Sequence, residues 1–151
     1  MSFTYSYPRP CVTSDIVIFS PEEEGLEVLL IQRKNEPFAQ CWALPGGFLD
    51  MDETIEQCAK RELKEETCLE DVQLLQLKVY SAVHRDPRQR TVSVAFWGVT
   101  DKSEACIKAG DDASMAQWFP LEKMPKLAFD HNKIIEDAVH KFLEEMAKTG
   151  A

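Results

Sequence analysis

The sequence predicts an α/β protein built in layers of helix, sheet and helix. Six short segments are rich in β-branched, aromatic and other apolar residues, which is typical of strands. Two longer segments have helical composition or periodicity, and one of them separates the third strand from the fourth. Strands that interleave with two main helices favour a layered arrangement. The length of 151 residues fits one domain of ordinary size, spanning residues 1–151.

The predicted strands follow an extended N-terminal arm at residues 1–10, which is rich in aromatic residues and proline. The first two strands flank a polar turn at 21–25 and are expected to form a hairpin. The fourth predicted strand, at 72–83, is compatible with an interruption along its length. The strands are predicted at 12–19, 26–33, 41–44, 72–83, 91–100 and 117–120.

Two helices are predicted, each with its own signal. Thr54 followed by Gln57 forms a capping-box pattern, and neither Gly nor Pro interrupts residues 54–69. A terminal helix is expected from about His131, with Asp130 as its N-cap. Its apolar positions recur every three or four residues, so one stripe should pack on the core: Ile135, Val139, Phe142 and Met146.

The first helix carries a cluster of glutamates. Glu62, Glu65 and Glu66 are spaced i, i+3 and i+4, so they share one face of the last two turns. Like charges so close repel one another, and the C-terminal end of a helix disfavours negative charge. A hard divalent cation with oxygen ligands would relieve this crowding. A solvated acidic face is the alternative interpretation.

The glutamates belong to a longer pattern that begins at Gly46 and Gly47, where we expect a tight loop with positive φ that approaches a ligand closely. The pattern resembles the Nudix box, G-x5-E-x7-R-E-U-x-E-E-x-G-U, in which U is a bulky apolar residue. Cys68 stands at the second glycine and is expected to alter the helix exit. The motif is matched by Gly47, Glu53, Arg61, Glu62, Leu63, Glu65, Glu66 and Leu69.

The resemblance implies the Nudix fold, a three-layer α/β/α sandwich with a mixed β-sheet. It also implies hydrolysis of a diphosphate with Mg²⁺, for which Mn²⁺ could substitute, because metal ions stabilise the charge that spreads over the phosphate oxygens. Arg61 is expected to orient and balance the carboxylates. Asp112 or Asp111 is a candidate general base, with Glu62 acting through metal-bound water as the alternative. The implied metal ligands are the Gly46 carbonyl, Glu62, Glu65, Glu66 and, as an outer ligand, Glu53.

Several segments outside the box resemble small ADP-ribose pyrophosphatases, among them 30–35, 42–48, 85–94, 108–113 and 127–131. The resemblance implies cleavage of ADP-ribose into AMP and ribose 5-phosphate. The alternatives are a MutT-type triphosphatase, a broad nucleoside-diphosphate-sugar hydrolase, and a sensor that binds without cutting. Regulators of that last kind carry a winged-helix domain, for which 151 residues leave no room. Substrate contacts are expected from Arg33, Arg85, Arg88, Gly47 and Asp111, with His84, His131, Trp42, Trp97 and Trp118 as further pocket candidates.

The net charge of −9 argues against a general nucleic-acid-binding surface. No apolar run approaches the roughly 18 residues of a membrane span, and no secretion signal is evident. The five cysteines are odd in number and lack C-x-x-C spacing, which favours reduced thiols in a cytoplasmic protein over a zinc site or catalytic thiol. A homodimer bridged by the arm is expected only by analogy with related ADP-ribose enzymes.

Overall fold

A mixed β-sheet forms the middle layer of the computed structural model, which describes residues 2–105, 107–108 and 113–149. The first helix, α1, spans Ile55–Thr67, and the terminal helix, α2, spans His131–Lys148. A single 3₁₀ turn at Leu121–Lys123 follows the last strand. The strands are β1 (Cys11–Glu22), β2 (Gly25–Arg33), β3 (Trp42–Ala43), β4 (Gly46–Phe48), β5 (Leu75–Tyr80), β6 (Thr91–Val99) and β7 (Ala113–Pro120).

The long strand β1 is central to the sheet and changes partner along its length. Strand order is β3-β2-β1-β6-β5, with β4 also paired to β1 and β7 paired to β2. β1 and β6 run parallel, whereas the other pairs are antiparallel. On one side, β1 pairs with β2 from Phe19 to Glu22 and with β4 from Thr13 to Asp15. The change of partner opens a gap between β1 and the far end of β2.

The two helices cover opposite faces of this sheet, because successive side chains of β1 point to opposite sides. Ile16 and Ile18 pack under α1, together with Ala59, Leu63 and Phe96. Val17 and Phe19 face α2 and pack with Trp97, Ile134, Ala138 and Phe142. The predicted three-layer α/β/α sandwich with a mixed sheet is thereby confirmed.

The tight loop with positive φ predicted at Gly46 and Gly47 is wrong. Both residues lie in strand β4, and Gly25 is the one glycine of the described residues with positive φ. The glycines are needed for close packing instead. A Cβ on Gly46 would stand 2.1 Å from the backbone oxygen of Ser14 on β1, so only glycine allows the two strands to approach this closely.

The helix ends agree only partly with the sequence prediction. Thr54 and Gln57 form both hydrogen bonds of the predicted capping box. Cys68 does not alter the helix exit: it takes the left-handed conformation, φ 64°, that glycine would take. Asp130 stands at the N-cap of α2 but makes no capping hydrogen bond, because its carboxylate binds Arg85. In the predicted stripe, Ile135 and Phe142 are buried, Val139 is partly buried, and Met146 is exposed.

The N-terminal arm is exposed over residues 2–10, and Arg9 covers the ring of Tyr5 at 3.9 Å. Cys11, Cys41, Cys58 and Cys68 are free thiols. Within the described ranges, neither helix is long and apolar enough to cross a bilayer.

Candidate active site

A pocket of about 340 Å³ opens where β1 changes partner from β2 to β4. Its walls come from β1, β2, β3 and β4, the face of α1 with Glu62 and Glu66, the loop 85–91, and the start of α2. The volume lies within the range of small-molecule sites in proteins. Glu62 and Glu66 therefore face the same cavity as the three predicted arginines.

Arg61 forms hydrogen bonds with several carboxylates on the α1 side of the pocket. Its guanidinium donates to both oxygens of Glu53 at 2.6 and 2.9 Å, to Glu62 at 2.7 Å and to Glu65 at 2.9 Å. It also donates to the carbonyl of Phe48 at 3.0 Å, which ties α1 to β4. The planar guanidinium has five N–H donors, so one arginine can hold all these acceptors.

Arg61 and burial act differently on the individual carboxyl groups. The hydrogen bonds from Arg61 lower the pKa of Glu53 to about 2. Burial raises the pKa of Glu62, because removal of water outweighs the attraction to Arg61. The carboxylates in turn raise the pKa of Arg61, with Glu53 the main cause.

The two adjacent glycines of β4 fix the positions of two glutamates. The amide N–H of Gly46 donates to the carboxylate of Glu66 at 2.7 Å. A Cβ on Gly47 would stand 2.5 Å from the carboxylate of Glu62, far inside van der Waals contact. Glu65 is half exposed and lies outside the described pocket wall. β4 therefore places Glu62 and Glu66 against the cavity.

Glu53, Glu62, Glu65, Glu66 and the Gly46 carbonyl offer hard oxygen donors, which suit Mg²⁺ or Mn²⁺. In the part of the chain that the structure describes, no three Asp, Glu, His or Cys side chains are arranged to hold one ion. The positive charge among these carboxylates comes from Arg61, and Glu66 is held by the Gly46 amide. The donor set fits a hard cation in its chemistry.

The three predicted substrate arginines have different surroundings. Arg85 is buried, with a side chain 5% exposed, and binds Asp130 through two hydrogen bonds of 2.7 and 2.9 Å. Arg88 is 38% exposed and binds Asp86 in the same manner. Arg33 donates to the carbonyl of Pro37 at 2.8 Å. Arg85 is a structural cation of the inner pocket, whereas Arg88 lies in the outer, solvent-facing part.

Phe129 forms part of a wall of alternating cations and rings. Its ring lies 5.0 Å from the guanidinium of Arg33 and 5.5 Å from that of Arg88, which is also 5.4 Å from the ring of Phe48. Phe129 has φ 51°, a strained conformation for a bulky residue. Its role is not evident from the sequence, because nothing in the segment 127–131 predicts this contact.

The inner end of the pocket is a buried polar network. Asp15 accepts from the hydroxyl of Ser93 at 2.5 Å, and Arg85 lies 3.7 Å away. His131 accepts from the amide of Leu44 at 3.0 Å, which leaves its Nε2 3.4 Å from Asp15. Burial lowers the pKa of His131, so the ring is neutral. The sequence interpretation missed Asp15; the available signal was one charged residue inside the apolar strand 12–19.

Residues 9–138 match the NUDIX domain family. The chain belongs to this family. It is similar to the ADP-ribose pyrophosphatase of Methanocaldococcus jannaschii, with 47% identity over 131 residues that cover 87% of this chain and 74% of the relative.

A transcriptional repressor and a domain solved with ADP ribose are also similar. The chain is 37% identical over 136 residues to the ADPR responsive transcriptional repressor NtrR of Acinetobacter baylyi, covering 87% of this chain and 54% of that protein. The structure resembles the NUDIX domain of Shewanella oneidensis NrtR complexed with ADP ribose, with a TM-score of 0.82, 35% identity and 91% of each chain covered. The similar proteins thus include both an enzyme and a transcriptional repressor.

The other residues of this NUDIX domain that the sequence suggested for the site are not among the described residues that line the pocket. Asp111 and Asp112 lie outside the described residues. His84 and the three tryptophans are absent from the pocket wall as far as the described residues delimit it. Trp42 and Trp97 pack in the α2-side core, and Trp118 packs in the α1-side core.

Proposed function

We propose that the protein is a Mg²⁺-dependent pyrophosphohydrolase that splits ADP-ribose into AMP and ribose 5-phosphate. The observation that carries the proposal is that Glu62 and Glu66 face the same cavity as Arg33 and Arg88. A diphosphate needs both kinds of group: carboxylates for a metal ion and arginines for its oxygens. The similarity to an ADP-ribose pyrophosphatase supports the choice of substrate.

A bound Mg²⁺ would neutralise the charge that develops on the phosphate oxygens. The residues proposed to hold it are the Gly46 carbonyl, Glu53, Glu62, Glu65 and Glu66. Arg61 would keep these carboxylates in place, since its hydrogen bonds connect three of them and the Phe48 carbonyl. A proton acceptor for the attacking water is proposed among Asp112, Asp111 and Glu62.

The walls of the pocket favour a nucleoside-diphosphate derivative with two different ends. Phe48 and Phe129 offer ring faces to a purine at the outer wall, and Arg88 between them suits an adjacent phosphate. The inner end is polar and buried, which suits a small hydroxylated group better than a second base. MutT-type triphosphates and other nucleoside-diphosphate sugars are the competing substrates.

The test is a substrate panel with and without Mg²⁺, analysed by chromatography of the products. ADP-ribose, a nucleotide sugar, a dinucleotide polyphosphate, NADH and an oxidised dGTP cover the alternatives. Metal-dependent release of AMP and ribose 5-phosphate in clear preference to other reactions is expected. Preference for the triphosphate would reject the proposed substrate.

A pair of variants on α1 tests the carboxylate cluster. Glu62→Gln should lower kcat by at least about 100-fold and leave the fold intact, because it removes the partly buried charge beside Arg61. Glu56→Gln is the matched control, since it removes the same charge from an exposed position in the first turn of the helix. Full activity of Glu62→Gln would refute the role of the cluster.

The second candidate function is a sensor that binds ADP-ribose without cutting it. The observation in its favour is the similarity to the ADPR responsive repressor and to the NrtR domain complexed with ADP ribose. Calorimetric titration with ADP-ribose in the absence of metal, followed by addition of Mg²⁺, separates the two functions. Binding without turnover under both conditions would identify a sensor.

A further inference from the structure

Asp15 is a buried carboxylate that the proposed reaction does not use. It lies in β1 opposite Gly46 of β4, on the face of the sheet that α2 covers. Its side chain is 10% exposed, yet it lines the pocket. A charged group in such a position needs partners, because unpaired burial of a charge is costly.

The two oxygens of Asp15 differ in their partners. Oδ2 accepts the hydrogen bond from Ser93 at 2.5 Å and lies 3.7 Å from Nη2 of Arg85. Oδ1 lies 3.4 Å from Nε2 of His131. This distance is longer than a usual hydrogen bond. Among the described residues, therefore, no hydrogen bond to Oδ1 is formed.

Oδ1 lies next to Gly46, and both Asp15 and Gly46 line the cavity. A Cβ at position 46 would stand 2.8 Å from Oδ1, so a larger residue there would crowd the oxygen. The same glycine donates its amide hydrogen to Glu66. This oxygen of Asp15 therefore lies beside the carboxylate cluster, where the group attached to the diphosphate would be.

The charges around Oδ1 determine which kind of ligand group could donate a hydrogen bond to it. A second cation would be repelled by Arg85, which is buried next to the same carboxylate. An anion would be repelled by Asp15 itself and by nearby Asp130, which already binds Arg85. A neutral hydroxyl fits, because it donates a hydrogen bond and brings no charge.

We infer that Asp15 accepts a hydrogen bond from a hydroxyl of the sugar on the far side of the diphosphate from adenosine. This inference rests on the proposed function. The outer wall, with Phe48 40% exposed and Arg88 38% exposed, takes the base, and the buried inner end takes the sugar. Asp15 thereby makes the site selective for a hydroxylated group on the second phosphate.

The test compares two substrates that share the ADP moiety. ADP-ribose carries the sugar, and the methyl ester of ADP carries the same diphosphate ester without any hydroxyl beyond it. Asp15→Asn should lower kcat/KM for ADP-ribose by roughly 10- to 100-fold, mainly through KM, because the charged acceptor is replaced by a neutral amide that carries one acceptor oxygen fewer. It should leave kcat/KM for the methyl ester unchanged.

Asp130→Asn is the matched control, because it also removes a charge from the network around Arg85 but leaves Oδ1 intact. It should lower the Tm and keep the wild-type ratio between the two substrates. An equal loss of kcat/KM on both substrates in Asp15→Asn would overturn the inference. So would a wild-type protein whose kcat/KM for ADP-ribose is nearly equal to that for the methyl ester. If Asp15→Asn does not fold, Asp15→Ser supplies the same comparison with a smaller side chain.

The same two compounds also distinguish failure of the inference from failure of the proposed hydrolysis. If the wild-type protein cleaves neither compound with Mg²⁺, hydrolysis is rejected, and dissociation constants from calorimetry replace the rates. Tighter binding of ADP-ribose than of the methyl ester, lost in Asp15→Asn and kept in Asp130→Asn, would still support the inference. Equal affinities of the wild-type protein for both compounds would overturn it.

Discussion

Gly47→Ala should separate the proposed hydrolytic activity of this protein from its stability. The added Cβ would stand 2.5 Å from two carboxyl atoms of Glu62, about 1 Å closer than an ordinary van der Waals contact. Glu62 is a flexible side chain, so it can move away and relieve the clash. The expected loss of stability is about 1 kcal/mol or less.

The movement of Glu62 should be costly for turnover. A displacement of about 1 Å at a catalytic group lowers a rate by roughly 100-fold, which corresponds to about 2.7 kcal/mol of transition-state stabilisation. It would also disturb the 2.7 Å hydrogen bond from Arg61 that holds the carboxylate. Rates with ADP-ribose and Mg²⁺, together with thermal denaturation, measure both effects in one preparation.

Gly46→Ala provides the contrast, although it changes the neighbouring residue in the same way. Its Cβ would stand 2.1 Å from the backbone oxygen of Ser14, which cannot rotate away. Forcing β1 and β4 apart should cost about 3 kcal/mol, or on the order of 10 °C in Tm for a domain of this size. Wild-type kcat in Gly47→Ala, or equal destabilisation by both substitutions, would refute the reasoning.

Three further predictions concern local charge and backbone conformation. Arg61→Lys should raise the pKa of Glu53 from about 2 toward its usual 4.5, because lysine lacks the paired donors; NMR titration measures this, and an unchanged pKa contradicts it. Cys68→Gly should raise stability by up to about 1 kcal/mol in chemical denaturation, because glycine tolerates φ 64°, and a loss would show that the thiol packs favourably. Burial lowers the pKa of His131 below 6.5, so the unfolded chain binds a proton that the folded protein does not; stability should fall as the pH drops through 6.5 toward the folded pKa. His131→Gln should reduce this dependence in melting curves recorded between pH 8 and 5 (roughly the range in which His titrates).

Local sequence signals predicted the features that depend on neighbouring residues. Thr54 and Gln57 form the expected capping box, because this motif is closed within four residues. The spacing of Glu62 and Glu66 brought both to one side of α1, since helix geometry alone determines it. The conformation of Gly46 was predicted wrongly, because its requirement comes from Ser14 on a strand about thirty residues away.

The inner pocket could not be predicted in the same way, because its members meet only through the tertiary fold. Arg85 looked like a phosphate ligand in a charged loop, yet Asp130 from the start of α2 and Asp15 from β1 hold it inside the protein. The same pairing takes the carboxylate of Asp130 away from capping the helix. Arg85 and Arg88 each bind an aspartate, but Arg88 is more exposed, so we propose Arg88 rather than Arg85 for a phosphate and Asp15 for a hydroxyl. Selectivity for the second group on the diphosphate would then depend on a residue outside the glutamate motif.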